Sequence, residues 1–119
     1  MNEAHNIDCL EEDKMREMNY SDRCKIYDAA IGTYGKDRQV KKLLEEMAEL
    51  QDAIIKHTDG RDTLEHVAEE LADATIMLEQ ARLMFNVNEL VSARMADKCV
   101  RLACRVSPAA AALLSSTKK

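Results

Sequence analysis

Tryptophan is absent from this chain, phenylalanine occurs once and tyrosine three times, so a core has to be built from aliphatic side chains and methionine. Breakers are almost as scarce, with three glycines and one proline in 119 residues. That scarcity leaves long helices as the natural secondary structure, and the Ala, Leu, Glu, Met and Lys of the middle segment favour them too. The four cysteines, Cys9, Cys24, Cys99 and Cys104, form no C-x-x-C pair and no Cys/His cluster, which implies reduced thiols and argues against a structural zinc site. No apolar run is long enough to span a bilayer, and Met1 to Asp8 hold no apolar signal segment; a cytoplasmic protein without a membrane partner is expected. Positive charge is outnumbered, 17 Lys and Arg against 22 Asp and Glu, and the net charge of −5 excludes nucleic-acid binding by bulk electrostatics. A phosphorylated substrate stays open to a local basic patch or to metal ions.

What is present reads as a single all-α domain, a four- to five-helix bundle. Apolar residues make up 46% and charged residues 33% of the chain, enough for a modest core and too apolar for disorder. Residues 1–20 read as a polar extension, in which Ile7, Leu10, Met15 and Met18 could form a short helix. Residues 21–106 read as the helical domain, and 107–119 as a flexible tail after Pro108. Within the domain, Ser21 is the expected N-cap of a helix running to Tyr34, ended by Gly32 and Gly35. A second helix spans about Asp37 to His57, with a core stripe of Val40, Leu43, Met47, Leu50 and Ile54. After the Thr58-Asp59-Gly60-Arg61 connection, Asp62 and Glu65 suggest a capping box. The third helix follows, with the stripe Val67, Leu71, Ala74, Leu78, Ala81 and Phe85. Asn88 is the expected cap of a fourth helix ending near Val106.

Chemistry concentrates in two acidic segments. Glu45-Glu46-Met47-Ala48-Glu49 reads E-E-x-x-E, and Glu69-Glu70-Leu71-Ala72-Asp73 reads E-E-x-x-D. Carboxylates three apart share a helix face, and the short turn between the helices lets them run antiparallel and face each other. At about 100° per residue, Glu46 falls at the edge of its core stripe, Glu49 further round and Glu45 furthest out. Glu70 and Asp73 lie on one flank of the third helix with Met77 and Met84. Four carboxylates meeting at the rim of a core suit a hard divalent cation, Mg²⁺ with Mn²⁺ as a substitute. The Glu-x-x-His pairs of ferritin-like di-iron bundles are missing, since none of His5, His57 and His66 follows a Glu by three residues. On the fourth helix, Arg94, Lys98, Arg101 and Arg105 form a basic stripe. It suits either phosphate binding or ion pairs on a solvated face, such as Asp97 with Arg101.

Gly35-x-x-x-Gln39, then Leu43-Leu44-Glu45-Glu46-x-x-Glu49-Leu50, then Glu69-Glu70-x-x-Asp73 resembles the MazG-like all-α nucleoside triphosphate pyrophosphohydrolases. Lys98-x-x-Arg101-x-x-x-Arg105 is similar to the basic stretch of that family's last helix, and the likeness covers about residues 30–106. The resemblance implies a homodimer or homotetramer and Mg²⁺-dependent cleavage between the α- and β-phosphates of a nucleoside triphosphate. It implies Glu46, Glu49, Glu70 and Asp73 as metal ligands, with Glu45 outside them and able to orient the attacking water. Lys98 and Arg101 would contact phosphate, as would Arg105, and Gln39 would lie near the nucleotide. Phosphoribosyl-ATP and dUTP pyrophosphohydrolases are related helical enzymes and stand as alternatives. A non-catalytic helical assembly module is the reading from another class.

Overall fold

Helices follow one another with almost nothing between them. The computed structural model describes residues 17–109 and Ala112. It is all-helical: α1 spans Tyr20–Tyr34, α2 Lys36–Thr58, α3 Leu64–Met84 and α4 Asn88–Val106. No strand occurs among the described residues. The expected helix in the first twenty residues and the expected flexible tail fall almost wholly outside the described part.

The helix starts differ from expectation by one or two residues, for local reasons. Asn19, not Ser21, caps α1: its side chain accepts from Asp22 N at 2.9 Å, and Asp22 bonds back to the Asn19 N–H. Asn outcompetes Ser here because Asp22 sits three residues on and closes the box. Gly35 then holds φ at 86° between α1 and α2, a value that favours glycine, whereas Gly32 lies inside α1. Thr63 Oγ1 accepts from His66 N at 3.1 Å at the start of α3, so Thr63 takes the capping role expected of Asp62. Asp62 turns to the His66 ring instead. Val87 precedes α4 with no side-chain cap, and Asn88 is its first residue, not its cap.

The chain divides into two compact units, one up to Gln80 and one from Ala81. In the first, Gln39 meets Gln80, while Glu46 and Glu49, later in α2, meet Glu70, earlier in α3. Helices α2 and α3 therefore run antiparallel, as expected for the acidic pair. Helix α1 joins them through Tyr27, which is 3% exposed, and through Arg23; both reach Glu79.

The buried line of α2 is Gln39, Leu43, Glu46 and Ala53, with Leu50 half-buried. That is a 4-3-4-3 stripe, rotated from the one expected. Met47 and Ile54 lie on its outer side at 46% and 44% exposure. Helix α3 is rotated in the same sense. Ala74, Met77, Gln80 and Met84 are buried, whereas Leu71, Leu78 and Phe85 are exposed. Both corrections have one cause: each helix has two apolar faces, and the hairpin uses the one with smaller and polar residues. Ala53 and Ala74 are nearly inaccessible.

In the second unit, Arg82 Nη2 donates to the Asn88 carbonyl at 3.0 Å and to Ser92 Oγ, fastening the end of α3 to the start of α4. Asn86, at φ 53°, makes the turn. None of the α4 residues is buried.

Candidate metal centre

Because α2 is rotated, Glu46 does not sit at the rim of the buried surface. It lies in it, 5% exposed. Glu46, Glu49 and Glu70 each bring a carboxylate oxygen within 4.8 Å of the other two. Asp73, one turn after Glu70, is exposed and does not join that group. The structure thus brings three of the four expected ligands together. Glu45 is exposed and opens elsewhere, into a hollow described below.

The two more buried carboxylates are held alike. Lys42 Nζ lies 2.9 Å from Glu46 Oε1, and His66 Nε2 lies 3.2 Å from Glu70 Oε1. In each case the other oxygen, Glu46 Oε2 or Glu70 Oε2, is buried with no hydrogen-bond partner. A desolvated carboxylate oxygen without a partner is costly. Two of them beside a third carboxylate add like-charge repulsion, and Glu49 registers it. The Glu46 charge, with burial and Glu70 adding to it, holds the Glu49 carboxyl above its ordinary range. Lys42 responds the other way, its ammonium stabilised by Glu46 and its pKa raised. The three glutamates therefore fit a divalent cation: hard oxygen donors, excess negative charge and two oxygens without partners.

His66 was not among the expected site residues. Its Nδ1 lies 2.5 Å from Asp62 Oδ2, and its Nε2 reaches Glu70. Bonding to Asp62 above all, then the charge and hydrogen bond of Glu70, raises the His66 pKa, while His66 lowers that of Asp62. The signal was in the sequence: Asp62, His66 and Glu70 recur every four residues. Reading Asp62 as a helix cap concealed it.

A hollow of about 1270 Å³, which shares Lys42 with the acidic cluster, is lined by Tyr34, Arg38, Gln39, Lys41, Lys42, Glu45 and Gln80, among others. Gln39 Nε2 donates to Gln80 Oε1 at 2.8 Å, a buried amide pair, and both residues line this hollow. The Arg38 guanidinium lies 5.6 Å from the Tyr34 ring centre. The basic run Lys36-Asp37-Arg38-Gln39-Val40-Lys41-Lys42, just ahead of the first acidic motif, was the legible sign of these cations.

The basic stripe belongs to the second unit. Lys98, Arg101 and Arg105 are exposed, and with Val100 and Cys104 they line a hollow of about 610 Å³. Asp97 pairs with Arg94 at 3.4 Å and not with Arg101, the pair offered by the solvated-face alternative, leaving the three cations without an ion pair among the described residues. No helix of the described residues is long and apolar enough to cross a membrane. Compared with protein-family models, with curated proteins and with solved structures, the chain has no significant match.

Proposed function

We propose that this chain is a Mg²⁺-dependent pyrophosphohydrolase that splits a nucleoside triphosphate between its α- and β-phosphates, as its MazG-like motifs imply. One observation carries the reading. Three glutamates from two antiparallel helices converge on one point, and two of them keep a buried oxygen without a partner. A solvated acidic face has no reason to bury such oxygens; a cation site does.

Glu46, Glu49 and Glu70 would hold the cation, and exposed Asp73 is the residue that substrate or a second ion could recruit. A divalent cation there supplies charge that offsets the polyphosphate and activates water toward phosphorus. The chain's own groups do the rest. Lys41, Lys42 and Arg38 line the adjoining hollow and can bind phosphate oxygens. Glu45 opens into the same hollow, where it can accept the proton of the attacking water. The Gln39–Gln80 pair offers both donors and acceptors to a nucleobase, which orients the substrate without naming the base. Lys98, Arg101 and Arg105, in the second unit, are the phosphate contacts that the resemblance implies.

The reading includes association of copies. Leu44, Ile55, Ile54, Met47, Leu71 and Leu78 are all more than 40% exposed on the hairpin helices. Covering the exposed half of each such side chain contributes about 1 kcal/mol, and a symmetric dimer or tetramer would do it. Sedimentation at micromolar concentration should show that dimer or tetramer, and a monomer would remove this part of the reading. For activity, the test is pyrophosphate release from a panel of nucleoside triphosphates with Mg²⁺. Release from at least one, abolished by chelation, is expected; none from any would leave a non-catalytic module.

A further inference from the structure

Four residues link the end of α2 to Glu70. The His57 Nδ1–H donates to the Asp62 carbonyl at 2.9 Å, fixing the loop backbone where the chain enters α3. Asp62 is fixed a second time through its side chain, whose Oδ1 accepts from Thr63 N at 2.7 Å. Its other oxygen takes the His66 ring, and the far side of that ring takes Glu70 Oε1. The spacing Asp62, His66, Glu70 is four residues at each step, so the three side chains stack along one helix face.

That stack has a consequence for Glu70. A glutamate side chain turns about three bonds, and its two oxygens are otherwise interchangeable. With Oε1 held by an anchored imidazole, rotation is stopped and Oε2 is left buried without a hydrogen-bond partner. On the facing helix Lys42 does the equivalent for Glu46, through a side chain that is itself 52% exposed and flexible. The imidazole is the stiffer of the two supports, because Asp62 holds it from behind.

We infer that His66, anchored by Asp62, is a positioning residue of the metal centre: it holds one oxygen of Glu70 so that the other is presented as a single ligand atom. The inference rests on the three glutamates being a divalent-cation site. Partners of this kind, which orient a ligand without touching the metal, typically account for about 10–100-fold in metal affinity. The bland role for His66 would be support of the α3 N-terminus. That role already belongs to Thr63, whose hydroxyl caps the helix.

The experiment is Mn²⁺ titration of the purified protein without nucleotide, by calorimetry or by the free-ion electron paramagnetic resonance signal. Metal-free thermal melts run alongside. His66→Ala should weaken Mn²⁺ binding about 10–100-fold. His66→Gln, whose amide can still donate to Glu70, should recover most of the loss. Asp62→Asn should fall between wild type and His66→Ala. Thr63→Ala should lower the melting temperature and leave Mn²⁺ affinity alone. Unchanged affinity in His66→Ala, with wild type binding Mn²⁺, would overturn the inference. So would equal losses in His66→Gln and His66→Ala. A wild-type protein that takes up no Mn²⁺ would overturn the metal reading itself, and this inference with it.

Discussion

Two carboxylate clusters sit along the same hairpin, and they are built differently. At one, Glu79 is closed: Arg23 Nε and Nη2 each lie 3.1 Å from one of its oxygens, and the Tyr27 hydroxyl donates at 3.1 Å. At the other, Glu46 and Glu70 each keep one oxygen engaged and one bare, with Glu49 crowded against them. The closed cluster joins α1 to α3 and engages both oxygens of Glu79, which is what a structural tie requires. The open one has negative charge and lone pairs left over. Burial alone therefore does not distinguish the two clusters; unspent hydrogen-bonding capacity does.

The comparison breaks first, and with the largest effect, at the open cluster. Glu46→Gln or Glu70→Gln removes a ligand charge at constant volume. Pyrophosphate release should fall by about 100-fold or more, since even outer-shell changes reach that size. The metal-free melting temperature should hold or rise, because a like charge has gone. Near wild-type turnover in either variant, measured at saturating Mg²⁺, would show that this cluster is another tie. The same kind of change at the closed cluster should do the opposite. Glu79→Ala leaves the buried Tyr27 hydroxyl and the half-exposed Arg23 guanidinium without their shared acceptor, and stability in chemical denaturation should fall. Activity per folded molecule should stay close to wild type. A large activity loss with stability intact would place Glu79 in the site.

A smaller effect is expected from the second unit, where the basic stripe carries exposed cations and no buried residue. Lys98→Ala or Arg101→Ala should lower kcat/KM by about 2 kcal/mol of transition-state stabilisation, within the range for hydrogen bonds to charged groups. Thermal stability should hardly move, because alanine is the better helix former and the lost contacts are with water. Unchanged kcat/KM in both variants would assign phosphate binding to Lys41, Lys42 and Arg38 alone.

How much of this was legible follows from which forces are local. Helix extents came through within a residue or two, because periodicity and the Gly35 and Asp59-Gly60 breaks act over a few residues. The convergence of Glu46, Glu49 and Glu70 came through because three-residue spacing and a short turn leave the hairpin little freedom. The phase of the stripes did not. Met47, Ile54, Leu71 and Leu78 are large and apolar, and one-chain reasoning turns them inward. Helix packing instead placed Gln39 against Gln80, a pairing 41 residues apart that no window along the sequence contains. The burial of Glu46 comes from that same rotation. Asp73 was grouped with its neighbours by spacing alone, and the rotation of α3 leaves it exposed.

The smallest expected effect is also the one that separates the clusters by pH. In the closed cluster, burial first and the Glu79 charge second hold the Tyr27 hydroxyl above its ordinary value of 10.0. A raised folded-state pKa contributes stability that is fully present below the ordinary value and is lost as pH rises through the raised one. The closed cluster should therefore weaken on the alkaline side, above about pH 10. The Glu49 carboxyl is raised from 4.5, chiefly by Glu46. The same sign applies, so metal-free stability at the open cluster should already decline as pH climbs through the carboxylate range. Melts of wild type, Tyr27→Phe and Glu49→Gln across the pH scale, run once with chelator and once with Mg²⁺, isolate the two. Tyr27→Phe should flatten the alkaline limb and leave the acidic limb unchanged. Glu49→Gln should do the reverse, and Mg²⁺ should suppress the acidic difference, because a bound cation removes the repulsion that caused it. If both variants flattened the same limb, or if Mg²⁺ acted equally on the two, the clusters would not be electrostatically distinct. The contrast between a closed tie and an open site would then fail.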